Sequence, residues 1–520
     1  MESLKLDWWW MASHLVLPLA VLYLVPVLHA WVRVRLQFYR LKQQNMLATE
    51  SGLDTCFYVD TWPFGFSILV VTSHELAIQA CQTHDLPKPE AIIPLIAPMA
   101  GGPTIFTTNG PEQKRGREIF HPGFSMRSVL GYMPFILQEV EVYVDVLRGL
   151  AKTGETFLMD EITCRYMMDV IRNVAMNARF ISQRKFHPIA AAMRDTIDRE
   201  CQIETGNYFS RISPVRLFRQ WHNSRTINHY IGIELEKRYQ EWKHQDQKST
   251  SSAPKTLMDM AIIEHMKTHP ATGPTLDPEF KAWAIAHIRL FLFVGHDLTA
   301  VIIMYAHYLL SKHPAILYKL RAEHDEVFGT DLTKTAPQLR ASPEKINNLP
   351  YTLAVIKETM RLFPPANGIR QGPENVTLRD PKAGTSYPTK DCAIWALHLA
   401  IQRNTSHWAD PHSFVPERWL VEPGHPLYPP PGAWRPFEHG PRDCIGQTLA
   451  LVDIRTTLVM TVREFDFHDQ YAEWDKRNPD HGLNTVFGER AYMVQAGSGR
   501  PAQRMPCKVT LTARSPLTGK

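Results

Sequence analysis

Phe437-Glu438-His439-Gly440-Pro441-Arg442-Asp443-Cys444-Ile445-Gly446 is the stretch on which the reading of this chain turns, and the segment after it, Gln447 to Phe465, has helical periodicity. A single cysteine therefore stands in a Gly/Pro-rich loop at a helix start. A helix N-terminus and a neighbouring Arg442 both favour thiolate over thiol, which makes Cys444 either a nucleophile or a metal ligand. Gly440 suits a tight turn, and Gly446 lets something bulky lie flat against the backbone. The bland alternative is an inert buried cysteine beside a turn.

The rest of the composition narrows the choice. Seven cysteines, at 56, 81, 164, 201, 392, 444 and 507, are widely spaced with no Cys-x-x-Cys pair, which argues against a disulfide framework and a structural zinc site. The catalytic part is thus expected in a reducing compartment. Across 520 residues, 57 Lys plus Arg against 52 Asp plus Glu leave a net charge of +5 without basic blocks, so nucleic acid is not an expected partner. With 44% hydrophobic and 21% charged residues the chain must fold.

Residues 8–32, from Trp8 to Val32, contain no Asp, Glu, Lys or Arg and as a helix would exceed the ~30 Å hydrocarbon core. The expectation is an uncleaved transmembrane anchor, with Trp8, Trp9 and Trp10 at one interface and Arg33, Arg35, Arg40 and Lys42 beyond the other. That charge flank makes residues 1–7 lumenal, residues 33–52 a basic linker and residues 53–520 a cytoplasmic catalytic domain. A cleaved signal peptide and a buried soluble helix are the alternatives, and Leu28-His29-Ala30 is a poor cleavage site.

Past the linker, Cys56 to Val59 and Ser67 to Val71 read as a small hairpin, and Ile162 to Phe180 and His313 through Phe328 as helices. His244 to Lys255 reads as a polar linker. The longest helix begins with Asp277 as cap, Pro278 in the first turn and Glu279 complementing the dipole, and it runs on toward Pro314. Being apolar on most faces, it must pass through the middle of a large domain. Gly295-His296-Asp297 interrupts it at the centre and needs an explanation. Tyr492 to Gln495 and Lys508 to Arg514 read as strands, for a mostly α fold with small β-sheets.

Glu358 and Arg361 stand at i and i+3 on one helix face, a spacing that chance alone supplies in most chains of this length and that usually marks a solvated pair. Its context is Leu362-Phe363-Pro364-Pro365 directly after it, and Phe414-Val415-Pro416-Glu417-Arg418-Trp419 between it and Cys444.

Together these motifs resemble the cytochrome P-450 family: Phe-x-x-Gly-x-Arg-x-Cys-x-Gly is similar to its haem-ligand loop. The resemblance implies haem b with Cys444 as axial thiolate, and Phe437, Arg442 and Gly446 as cofactor-binding residues. It also implies a buried structural network of Glu358, Arg361 and Arg418. Gly110 to Ser125 is similar to the segment in which Trp-x-x-x-Arg holds a haem propionate; Gln113 replaces the Trp, and Arg117 is retained. By composition alone Lys114, Arg115 and Arg117 would be an exposed basic face, one that also suits a docking reductase.

The centre of the long helix is similar to the family pattern Ala/Gly-Gly-x-Asp/Glu-Thr-Thr/Ser, but reads Val294-Gly295-His296-Asp297-Leu298-Thr299, so Leu298 stands where an oxygen-handling Thr is expected. Leu can neither donate a hydrogen bond nor pass a proton. Three readings follow: Thr299 substitutes through a local helix distortion, a substrate hydroxyl or water supplies the donor, or the reaction needs less oxygen protonation. The second is favoured. Asp297 is expected as the proton-relay carboxylate, with simple pairing to a buried base as the alternative.

Family topology implies a substrate pocket lined by the segment from Leu86 to Phe106 and by Phe291, Val294, Leu298, Ala366, Ile369 and Phe487, apolar enough for a lipophilic small molecule; Asn367, Arg370 and Glu489 would add a polar handle. The implied partners are an NADPH-dependent flavoprotein reductase and the lipid membrane of the endoplasmic reticulum. The implied reaction is hydroxylation or epoxidation, as in fungal secondary-metabolism members. Haem-thiolate chemistry without net oxygen insertion is the alternative, and a haem carrier or gas sensor a weaker one.

Overall fold

The computed structural model describes residues 55–59, 67–178, 182–185, 187–204, 213–244, 255–269, 273, 275–479 and 485–515, and residue 26 besides. Apart from residue 26, the expected anchor at 8–32 and its flanks at 1–7 and 33–52 lie outside the described residues, as does the centre of the polar linker after His244. The main helices are α1 (Ile93–Ala100), α2 (Gly110–Phe120), α3 (Met133–Thr153), α4 (Met159–Met176), α5 (Pro188–Glu204), α6 (Pro214–His244), α7 (Leu257–Thr268), α8 (Pro278–Lys312), α9 (Pro314–Phe328), α10 (Pro350–Leu362) and α11 (Gln447–Thr461). The strands are β1 (Cys56–Val59), β2 (Ser67–Val71), β3 (Phe157–Leu158), β4 (Gly368–Gln371), β5 (Thr377–Arg379), β6 (Ser386–Pro388), β7 (Cys392–Ala396), β8 (Phe465–Asp469), β9 (Met493–Ala496), β10 (Ser498–Pro501) and β11 (Pro506–Leu511).

Two compact units result, one from the chain up to Leu86 together with Ile369–Leu397, the other from Pro87–Gly368 and His398–Lys520. The smaller unit is a sheet of order β1-β2-β7-β4 with the β5-β6 hairpin. As expected, β1 and β2 are antiparallel, Cys56 opposite Val71, but β2 also pairs in parallel with β7. Parallel pairing needs a long crossover, and here most of the larger unit is inserted between the two strands.

In the larger unit α8 is the axis. Asp277 caps it through Phe280 N–H at 2.8 Å, Pro278 and Glu279 fill its first turn, and it ends at Lys312 before Pro314. It is buried on nearly every face from Ala284 to Leu310 because α4, α1, α10, α6 and α11 pack round it. Among the described residues it is the one helix long and apolar enough to cross a membrane, and it is a core helix.

The interruption at its centre has a steric explanation. A Cβ on Gly295 would lie 2.4 Å from Ile171 Cγ1, so glycine lets α4 pack directly on α8. Three expected boundaries shift. Asn177 in the left-handed region ends α4 early, at Met176. α11 stops at Thr461 because Phe465 onward pairs with β11, and β11 starts at Pro506, where Cys507 meets Asp469.

Candidate active site

The Cys444 loop is held from behind by buried charge. Arg361 grips Glu358 with both arms, Nε to Oε2 at 2.9 Å and Nη2 to Oε1 at 2.8 Å, and Arg418 Nε reaches Oε1 at 3.0 Å. All three side chains are fully buried. Burial pulls the Arg418 guanidinium below its ordinary range, against the opposing pull of Glu358. Each ion is further satisfied: Trp419 Nε1 and Val415 N–H donate to Glu358, while Arg361 donates to the carbonyls of Gln402, Pro411 and Ser413. Such completeness is what makes a buried ion cluster tolerable.

Gln402 carries this network to the ligand loop. Its Nε2 donates to the Met360 and Arg361 carbonyls, and its Oε1 accepts the Arg435 N–H at 2.7 Å, just before Phe437. Glu438, in the left-handed region at φ 59°, pairs with Arg435 and with His398 Nε2 at 3.2 Å. Gln402 and Trp419 were not expected from sequence: a glutamine carries no pattern of its own, and Trp419 adjoins Arg418 without advertising a partner.

At the loop itself, Cys444 N–H donates to the Phe437 carbonyl at 2.8 Å and fixes the turn. The Cys444 side chain is exposed although protein surrounds it, so it faces open space inside the fold. Without a bound cation, burial raises its thiol above the ordinary value, while the Gly446 and Gln447 N–H groups and Arg117 oppose that rise. A bound cation is the partner that would turn such a thiol into thiolate. Gly446 leaves its flank open, since a Cβ there would be 3.9 Å from the Cys444 sulfur and 3.8 Å from Phe124.

Arg117 and Arg442 both come to this loop. Arg117 donates to the Asp443 carbonyl at 2.7 Å and pairs with its carboxylate; Arg442 donates to Asn109 Oδ1 at 2.9 Å and the Thr108 carbonyl at 2.8 Å. Lys114 and Arg115 are exposed on α2.

On α8, Val294 and Leu298 are half-exposed within a mostly buried stretch, one turn apart on a single face. Phe291 is buried one turn earlier, edge-on to Phe120 at 4.9 Å. The helix runs unbroken across these residues, so the distortion that would bring Thr299 to the Leu298 face is not there. Thr299 is buried, ~100° round the helix from Leu298. Asp297 is buried too, and Arg500 of β10 pairs with it. The same Arg500 lies 3.4 Å from Asp160, whose carboxyl stays ionised down to about 2; burial raises it, but Arg500, Arg194 and Arg504 outweigh that.

Two pocket residues fall differently from expectation. Phe487 lies on the surface, 39% exposed, stacked on His412 with the Arg403 guanidinium 4.6 Å from its ring, because Arg403 holds it there. The hairpin tip at Gly497 approaches the interior instead, where a Cβ would meet Ile197, Asp297 and Phe293. Gly497 between two short alternating strands was the available signal. Ile369 belongs to β4 of the smaller unit. Ala366 is half-buried, its carbonyl bonded to His398 Nδ1 at 2.9 Å. Asn367 and Glu489 spend their oxygens on His398 N–H and Tyr308 OH. Arg370 is buried, with Nε and Nη2 unpartnered among the described residues.

One accessible sulfur with two N–H donors aimed at it, a glycine flank, guanidinium groups on the loop and an apolar helix face suit a flat, anionic, metal-bearing ring. The comparisons agree. A family model described as cytochrome P450 matches residues 54–495. The chain is 38% identical over 465 residues to cytochrome P450 monooxygenase polC of Polytolypa hystricis, covering 89% of this chain and 82% of that protein. It is 31% identical over 490 residues to cytochrome P450 monooxygenase acrF of Aspergillus aculeatus, covering 90% and 96%. The crystal structure of the cytochrome P450DA heme domain shares the fold with a TM-score of 0.70 at 18% identity, covering 90% of this chain and 92% of that one. The protein is thus a haem-thiolate oxidoreductase in class. It belongs to the cytochrome P450 family, whose members hold haem iron through a cysteine thiolate.

Proposed function

We propose that this protein is a membrane-anchored monooxygenase that hydroxylates or epoxidises a lipophilic small molecule as a tailoring step in fungal secondary metabolism. The observation that carries the reading is the Cys444 loop, locked through Gln402 to the Glu358–Arg361–Arg418 network, in a chain whose relatives are fungal monooxygenases. Haem b bound here supplies dioxygen activation, with the thiolate donating electron density. Cys444 would hold its iron, Phe437 and Gly446 would flank the ring, and Arg117 and Arg442 would bind its propionates.

Phe291, Val294, Leu298 and Ala366 of the larger unit exclude water and favour an apolar substrate. Asp297, next to Leu298 in the chain and ion-paired with Arg500, is the carboxylate of the proposed proton relay. Since Leu298 offers no hydroxyl and Thr299 faces elsewhere, the substrate or a water supplies the donor that the family takes from a Thr. Residues 8–32 anchor the domain to the endoplasmic reticulum membrane, and an NADPH-dependent flavoprotein reductase docks on the basic face that includes Lys114 and Arg115.

Leu298 also favours a second reading, a haem-thiolate reaction without net oxygen insertion. The test reconstitutes the full chain with a fungal reductase and compares NADPH consumed, peroxide released and product formed. Tight coupling to an oxygenated product supports the first reading; product formed without NADPH supports the second.

A further inference from the structure

Arg289 is a cation in the core helix α8, with no exposed surface. Burial pulls its guanidinium down to about 10. Its hydrogen-bond partners among the described residues are all neutral: Nε donates to the Met99 carbonyl at 3.0 Å, Nη2 to the Pro98 carbonyl at 2.8 Å, and Nη1 to Ser224 Oγ at 2.8 Å and Asn228 Oδ1 at 2.7 Å. Among the described residues no carboxylate pairs with it.

Those partners belong to two other helices. Pro98 and Met99 are in the last turn of α1, where the free carbonyls carry the negative end of the helix dipole. Ser224 and Asn228 are one turn apart on α6. The chain is shaped to admit the guanidinium: Gly101 ends α1 at φ 81°, and a Cβ there would lie 2.7 Å from Nη1. A buried cation without a counter-ion is rarely the most stable filling for its space, so its value lies in what it positions. One side of this joint meets water. Ser224 and Asn228 line a groove of about 870 Å³ with Trp221 and Arg225, so water can take over their hydrogen bonds when the joint opens.

We infer that Arg289 is a positioning residue that latches α1 and α6 onto α8, and that its release opens the route by which lipophilic molecules reach the buried site. The latch stands on the geometry above; the route rests on the proposal that the segment containing α1 lines the substrate pocket.

The test uses the full chain with haem, as wild type, Arg289→Met, Arg289→Lys and Gly101→Ala. Amide hydrogen exchange is followed across residues 93–101 and 220–230. Binding and release of imidazole and of the bulky azole clotrimazole are followed by their haem spectra. Removing the hydrogen bonds in Arg289→Met should raise exchange in those two segments about tenfold. It should speed both binding and release of clotrimazole several-fold, leave imidazole unchanged, and be partly rescued in Arg289→Lys. Gly101→Ala should reproduce the effect through steric pressure on the guanidinium. Exchange that is unchanged, or raised equally along all of α8, overturns the latch. Raised exchange in both segments with unaltered clotrimazole kinetics overturns the route. A protein that shows no azole spectrum at all overturns the haem site instead.

Discussion

Arg500 of β10 and Asp297 of α8 form an ion pair in the protein interior, with both side chains buried. The pair joins the C-terminal hairpin to the helix face next to Leu298. Truncating one member strands the other as an uncompensated charge, typically at ~3–5 kcal/mol. Arg500→Met should therefore lower the unfolding midpoint strongly, and adding Asp297→Asn should return part of the loss. Equal midpoints for the single and double variants in chemical denaturation would contradict the pairing.

Leu298 faces the same side of α8 as Val294 and brings no donor to it. Leu298→Thr adds a hydroxyl whose hydrogen bond is worth ~1–3 kcal/mol, a tenfold to hundredfold change in partition between product and peroxide. Peroxide released per NADPH should shift accordingly, and an unchanged ratio would mean that position 298 does not touch the reacting oxygen.

Gly295 is held at its size by α4. Gly295→Ala improves helix propensity but drives a methyl group into Ile171, for a net cost of ~1–3 kcal/mol. Ile171→Ala makes room, so the double variant should be more stable than the two separate losses predict. Simple additivity in thermal melts would refute the contact.

Asp453 in α11 is buried and accepts a hydrogen bond from Tyr166 at 3.2 Å, and burial pushes its carboxyl up to about 7. The folded protein thus keeps this proton up to about pH 7, whereas the unfolded chain releases it near 3.8. The group's contribution to stability is complete below the lower value and falls as pH rises to the upper one, by ~1.4 kcal/mol per unit. Asp453→Asn should remove that decline and raise the melting temperature at pH 8. A variant with the wild-type pH profile would exclude Asp453 as its source.

Glu358 balances two buried guanidinium groups. Glu358→Ala should leave helix content by circular dichroism largely intact while haem per chain falls severalfold, because Gln402 no longer has an ordered neighbour through which to hold the ligand loop. Full haem retention would separate the network from the loop.

Much of this was legible in the chain itself. The cap at Asp277, the length of α8 and the pairing of β1 with β2 follow from local chemistry and periodicity, which act over a few residues. The Cys444 loop and the Glu358–Arg361 spacing were legible for the same reason. Phe487 was misplaced because its apolar character says nothing of Arg403, whose cation holds it at the surface.

What only the tertiary structure decided is who meets whom across the chain. Arg500 finding Asp297, Gln402 joining Arg361 to Arg435, and Arg289 clasping α1 and α6 are meetings of residues far apart in sequence. No local pattern encodes them, since a buried polar group must be satisfied by whatever packing brings within hydrogen-bond reach.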